Sequence, residues 1–430
     1  MKAVVKGSTF LSLAFVVFSI GCAGTHKTSN SAQASQPQLQ STASENGFVR
    51  PDPTIHDAQG NQSGAASQES GDGILGTPLQ SELAAQVKSP GATPSVNDSD
   101  LIDLPADLKN AVDLKKIRAV VFNQINQERK DAGLPPVGYD KIGELAASLH
   151  VLEQVQGKSW LSHFSLNGDL PYMRYSQADG YNANSENAAV WQGNMDTRTP
   201  GPLDPTPCNA NNIFPVPAAG NIENIGALVG SSLECDMVNE KPPADGHRKT
   251  ILDPHATSVG ISLGVVVGND QFTGKPGRRI IVFLVEEFQT QGLASVNPWP
   301  ISVQSSQTKS INFSGSLVDG LSFDHALLFF EVPVPKTVQQ AASLNHYSYP
   351  SKYKIMIQTP TPGFKTVFKD KDGNPIQVDF DDHTIVQGKN FSIPISLDQG
   401  PGVYTVNVFV TRQGDKTPFP IASRSLYVLP

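Results

Sequence analysis

Leu161-Ser-His-Phe164, Ser185-Glu-Asn187, Val238-Asn-Glu-Lys241 and Gly246-His-Arg248 fall in order within one stretch of the chain, Leu161–Gly260. Together they supply two imidazoles, His163 and His247, and two carboxylates, Glu186 and Glu240. Brought to one cleft, such a set can hold a divalent metal or share protons. The same four groups can also form a hydrogen-bonded cluster that merely orders a cleft. Residue chemistry alone leaves both readings open.

Upstream, Asn126-Gln-Glu-Arg129 falls on a segment with helical spacing, and downstream Ser258-Val-Gly-Ile-Ser262 leads into a strand. In this order the pieces resemble the CAP superfamily, the cysteine-rich secretory, antigen 5 and pathogenesis-related 1 proteins, and its bacterial SCP-like branch. The resemblance covers roughly residues 112–290. It implies a three-layer α-β-α sandwich with His163 and His247 as the two cavity histidines. It makes Glu186 the first cavity glutamate and Glu240 the second, with Glu234 a competitor for that fourth place. Met237 stands where the family often has Trp, and Ser185 where Gly usually precedes the first Glu. Zinc or another divalent cation is the ion these ligand types suit.

A chain of 430 residues is too long for one ordinary core and predicts two or three units. The formal charge of −8, with no cluster of Lys and Arg, excludes a nucleic-acid partner. The N-terminus reads as an export signal, residues 1–21. Lys2 and Lys6 form the positive region, and Thr9 to Ile20 is an apolar run too short to span a bilayer. It ends Phe18-Ser-Ile-Gly-Cys22, which resembles a bacterial lipobox with Ser19 in place of the usual Leu. A lipidated Cys22 would make the membrane a partner through acyl chains. The localisation expected is exported and anchored to the cell envelope, at the outer membrane if the host is Gram-negative. The alternative is an ordinary signal peptide cut nearby.

With Cys22 assigned to lipid, an even pair remains, Cys208 and Cys235, in an exported chain where disulfides persist. A bridge between them would stabilise the fold by roughly 3–4 kcal/mol on the chain-entropy model; two free thiols are the alternative. Residues 22–108 are dominated by Ser, Gln, Ala, Gly, Thr and Asn and read as a disordered tether.

Leu114, Ile117, Val121 and Ile125 recur at helical spacing, stopped by Gly133 and Pro135-Pro136. A second helix is expected from about Tyr139 to Gln156, with His150 beside its apolar stripe as a packed or half-exposed residue. Residues 191–221 are rich in Pro, Gly and Asn, and a helix is placed around Ile222–Asn239. Strands are expected at Ser258–Val267 and Arg278–Phe288. This CAP-like body spans 109–292.

Beyond it, Val403 to Val410 alternates with strand period, and similar runs occur at Ser310–Leu317, Ala326–Val334, Lys352–Gln358, Phe391–Leu397 and Ser423–Leu429. They predict an immunoglobulin-like β-sandwich over 297–430, without the Cys–Trp–Cys hallmark, so the fold class is α+β overall. Asn297-Pro-Trp-Pro300 reads as a stiff spacer. Asp370-Lys-Asp-Gly-Asn374 resembles the start of a calcium loop, but Pro375 stands where that loop needs Gly, which favours a hairpin turn.

The chain has no His-Glu-x-x-His pair, Gly-x-Ser-x-Gly elbow or phosphate loop. Ser162 and His163 are adjacent in sequence, which does not make a triad. Three function classes stay open. The first, preferred, is a non-catalytic binding module whose cleft takes a metal, lipid, glycan, protein or other small ligand. The second is a metal-assisted hydrolase acting on envelope material, and the third an adhesion or scaffold protein using the β-sandwich.

Overall fold

The computed structural model describes residues 18–19, 95–105, 112–157, 162–194, 234, 237–242, 245–268, 279–337, 340–341, 344, 353–358, 368–369, 375–376, 379–415 and 417–430. Cys22, Cys208 and Cys235 lie outside them, as do most of the expected tether and of the 191–221 segment.

Helix α1, Leu114–Asp131, forms where the apolar residues recur every three or four positions, and Leu114, Ile117, Val121 and Ile125 are all buried. Asp113 caps it, accepting the Lys116 N–H at 3.1 Å. The Asn126-Gln-Glu-Arg129 segment has a structural task. Asn126 bonds Val137 in both directions, and the fully buried Arg129 donates to the carbonyls of Pro135, Ile251, Asp253 and Ala256. One guanidinium thereby ties α1 to the turn that follows the second histidine.

Among the described residues the next helices are α2, Lys141–Gly157; α3, Pro171–Gln177; and α4, Gly246–Ile251. The strands are β1, Ile102–Asp103; β2, Gly138–Tyr139; β3, Ala183–Asn194; β4, Ser258–Gly268; and β5, Arg279–Thr290. Their order is β3-β5-β4-β1, with β2 also on β4 and the residue pair Phe18–Ser19 along the outer edge of β3. Residues Ser258–Val266 of β4 are buried without alternation, as a strand covered on both faces requires. On one face Gly260 meets Gly143 of α2 so closely that a Cβ would lie 2.1 Å from the Gly143 carbonyl carbon. The core joins α1 and α2 to β3, β4 and β5 through Val121, Val151, Leu263 and Phe283 among others.

The folded region begins earlier than the tether reading allowed. Asp98–Leu101 forms a 3-10 turn, Asp98 makes a bidentate pair with Arg118, and Ile102–Asp103 pairs with Val265–Val266. Leu101, Ile102 and Leu104 are buried. Three apolar side chains in a polar stretch suffice to dock it once a sheet edge is present.

Among the described residues the second body is almost entirely β, apart from a helical turn at Gln340–Ala341. Its strands are β6, Leu293–Val296; β7, Ser302–Gln304; β8, Ser310–Leu317; β9, Leu321–Glu331; β10, Tyr353–Gln358; β11, Asp379–Gln387; β12, Asn390–Ser396; β13, Gly402–Arg412; and β14, Phe419–Leu429. They run β6-β8-β12-β11-β10-β9-β13-β14-β7. The path turns at β11, whose first half pairs with β10 and second half with β12. Phe313, Phe391, Ile393 and Ile395 of one arm thus pack on Val406, Val408, Val410 and Leu426 of the other. Phe368–Lys369 pairs with Pro375–Ile376 and brackets the 370–374 segment read as a turn.

The supposed spacer is part of this sandwich. Leu293–Val296 pairs with β8, and Trp299 is buried edge-on against Phe313 at 5.1 Å. An indole is too large an apolar surface to leave in a solvated linker when a core lies beside it. Only Gln291-Gly292 separates β5 from β6.

Candidate functional site: two carboxylate-backed histidines

His163 sits at the start of the segment that leads into α3, and Glu186 points from β3. The Glu186 carboxylate accepts from His163 Nδ1 at 2.8 Å with one oxygen and from Arg174 of α3 with the other. Arg174, itself buried, also donates to the carbonyls of His163 (2.9 Å) and Asp169 (3.2 Å) and to Ser165 Oγ (3.3 Å). Burial alone would raise the Glu186 pKa. Arg174, His150 and His163 more than offset it and hold the carboxyl well below the usual range. An ionised Glu186 can only accept, so His163 carries its proton on Nδ1 and its lone pair on Nε2. Burial lowers the His163 pKa despite Glu186, and neighbouring His247 and His150 lower it further, so the imidazole is neutral at pH 7.

His247, on α4, repeats the pattern. Its Nδ1 meets Glu240 at 2.7 Å, and Glu240 also accepts the His247 backbone N–H at 3.0 Å. Asn187, next to Glu186 on β3, donates to the His247 carbonyl at 3.4 Å and to Glu286 at 3.2 Å. One strand thus touches both histidine stations. All four residues singled out from the sequence fall into two His–Glu pairs, and Glu240 rather than Glu234 serves the second.

The arrangement differs from four direct ligands. The Glu186 side chain is fully enclosed, and both carboxylates are spent on the imidazoles. Among the described residues no three His, Cys, Asp or Glu side chains form a metal cage. The donor set still suits a divalent ion at the two imidazoles, with carboxylates fixing ring orientation from behind.

Further buried groups surround the two pairs, and of these Arg174, Glu286 and Glu287 escaped the sequence reading, whereas His150 is packed in the core as one of its two expected states. His150 is fully buried, with Nε2 at the Ser162 carbonyl and Gln154. Glu287 lies opposite Glu186 across the β3–β5 ladder, and Glu286 lies opposite Asn187. Burial first, then Glu186, pushes the Glu287 pKa well up, so this carboxyl is protonated beside an ionised neighbour. Glu234 faces Glu286, and burial plus mutual repulsion raise the Glu234 pKa strongly. The Glu286 pKa is also raised, by burial first. Two such acids share a proton. Ser162 Oγ accepts the Phe164 N–H at 3.1 Å and so serves the turn beside His163. Only Glu286-Glu287 in an apolar run could have signalled the acid pairs.

Residues 122–285 match the model of the cysteine-rich secretory protein family, CAP, so the chain carries a CAP domain within an α+β fold. Solved structures that resemble it distantly include two of bacterial origin. One is an extracellular protein containing an SCP domain from Bacillus anthracis, 18% identical with a TM-score of 0.26, the match covering 44% of each chain. The other is an outer surface protein from Borrelia burgdorferi, 15% identical with a TM-score of 0.26, covering 42% of this chain and 97% of that one. The chain therefore spans less than half of the Bacillus protein. Among curated proteins, none matches.

Proposed function

We propose that this is an exported, envelope-anchored binding protein whose CAP domain takes a divalent cation, zinc being the best suited, at His163 and His247. Two imidazoles that influence one another electrostatically, each backed by a carboxylate, carry the reading, and that of His163 is held neutral by burial. Neutral imidazole is the form that binds metal, and a carboxylate on the far nitrogen raises its basicity. When bound, the ion supplies a Lewis-acidic point to which a small, lipid or glycan ligand can dock. The enclosed Glu186 and the backbone-anchored Glu240 hold the rings rather than the ion. Elemental analysis and calorimetric titration of the purified chain with zinc test this. His163→Ala combined with His247→Ala is expected to abolish uptake while the far-UV spectrum stays unchanged. Uptake that survives the double change sinks the site.

The anchor rests on the basic and apolar N-terminal regions and the Phe18–Cys22 segment. Cys22→Ala should move the protein from the membrane fraction to the soluble one. Mass mapping of the mature chain should show diacylglycerol on Cys22 and a linked Cys208–Cys235 pair. A variant that still pellets with membranes excludes the lipid.

A further inference from the structure

The path between the two halves of the first histidine station, residues 164–182, is embedded in the β-sandwich. At its start the Lys336 N–H donates to the Leu166 carbonyl at 2.7 Å. Gly168, at φ +92°, lies so close to Val334 that a Cβ would sit 2.5 Å from the Val334 oxygen. Leu170, Tyr172 and Met173 form one apolar cluster with Val403 and Tyr427 of the sandwich. The Tyr172 hydroxyl donates to Glu331, and Gln177 donates to the Tyr427 hydroxyl.

At the end of α3 a single side chain takes over. Arg424 of β14 is fully buried and donates to the Ser176 and Gly180 carbonyls, each at 2.9 Å, and to the Asp179 carboxylate at 2.9 Å. Its guanidinium lies 4.0 Å from the centroid of the Tyr181 ring. The Ser425 N–H donates to Ser176 Oγ at 2.9 Å. An α3 of seven residues is too short to be stable in isolation. Its position is set by what it is pinned to, and Arg174, the group that grips Glu186 and the His163 carbonyl, stands on it.

We infer that the β-sandwich is the positioning partner of the CAP-domain site, with Arg424 fixing α3 and α3 in turn presenting Arg174 to His163 and Glu186. The two arginines form a relay: Arg424 touches no site residue, and Arg174 touches both members of the first His–Glu pair. Among the described residues the second pair, His247–Glu240, makes its side-chain hydrogen bonds within itself, with the His247 carbonyl accepting from Asn187 of β3, and not to residues 164–182 or to the sandwich. Uncoupling the two bodies should therefore disturb one histidine and spare the other. This deepens the binding proposal by naming what regulates the site, yet its test reads the imidazoles themselves and not metal uptake.

The experiment uses the full chain with ¹⁵N-labelled histidine and no added metal, reading ring tautomers by long-range nitrogen–proton correlation. His163 and His247 are assigned by His163→Gln and His247→Gln. In Arg424→Gln, His163 is expected to lose its fixed Nδ1–H signature and average between tautomers, while His247 keeps its own. Because removing a buried guanidinium can unfold the sandwich, Tyr172→Phe with Tyr427→Phe is run beside it. That pair deletes two hydroxyls and keeps both rings, and a smaller shift confined to His163 is expected. Arg424→Lys should restore part of the wild-type signal. Either variant leaving His163 unchanged while α3 amides lose exchange protection overturns the inference. Equal disturbance of His163 and His247 in the Tyr pair overturns it too.

Discussion

Glu186 concentrates the electrostatics of the site in one side chain. It is enclosed, it accepts from Arg174 and His163, and it faces the protonated Glu287 across the sheet. Glu186→Gln leaves a buried guanidinium without its counter-charge, and breaking a buried pair in this way costs about 3–5 kcal/mol. The pH dependence has a defined sign. A depressed folded pKa contributes stability above the unfolded value of 4.5, and that contribution is lost as pH falls below it. Acid unfolding of the wild type, followed by fluorescence, should therefore steepen below about pH 4.5, while Glu186→Gln begins less stable and shows a flatter acid limb. Equal acid slopes in the two proteins would remove Glu186 from this role. The His–Glu pairing could be anticipated because each residue sits in a short family-like context. Arg174 could not, since nothing in Pro171-Tyr-Met-Arg174 marks a buried arginine until α3 is docked.

At the scale of elements, what could be read from the sequence followed periodicity. The four-residue rhythm of α1 reflects one well-defined buried face, while β13 is β-branched and apolar enough to be read as a strand although Gly402–Val410 is buried on both faces; both elements lie where the pattern puts them. Elements whose burial comes from elsewhere left no such trace. In β3, Asn184, Ser185, Glu186 and Asn187 are polar, yet β3 pairs along its whole length with β5 because those polar groups are met by Gln289, Glu287, Glu286 and the histidine stations. β11, Asp379–Gln387, opens on three acids in four residues and forms because it bridges the two arms of the sandwich. α3 has only seven residues and is visible only from its tertiary contacts. The Trp299 segment is buried for a related reason: two prolines give stiffness, but whether the stiff piece is buried depends on the core beside it.

At the scale of the whole molecule, the link between the bodies is two residues long, and Gly292 lies under Ile421, where a Cβ would come within 2.5 Å of that side chain. His255 stacks on Phe419 at 4.0 Å, and the Ser423 N–H bonds the Tyr181 carbonyl, so the contact continues well beyond α3. Two bodies joined this closely should unfold in one transition at moderate pH. The interface also holds two carboxyl groups, Glu331 and Asp169, with Tyr172, Tyr427, Gln177 and Asn167 around them. Burial, reinforced by Asp169 and opposed by the Tyr172 hydroxyl, lifts the Glu331 pKa to about 7. Burial raises that of Asp169 as well. Groups with raised folded pKa values contribute stability that is complete at low pH and is lost as pH climbs through the folded value. For Glu331 the window runs from 4.5 to about 7, a span worth on the order of 3 kcal/mol. Glu331→Gln keeps an acceptor for Tyr172 but cannot ionise. Its melting temperature should fall less than the wild type's between pH 5 and pH 8, and protease cutting at residues 291–292 should accelerate with pH in the wild type alone. Parallel melting curves across that range would show that Glu331 does not govern the docking of the two bodies.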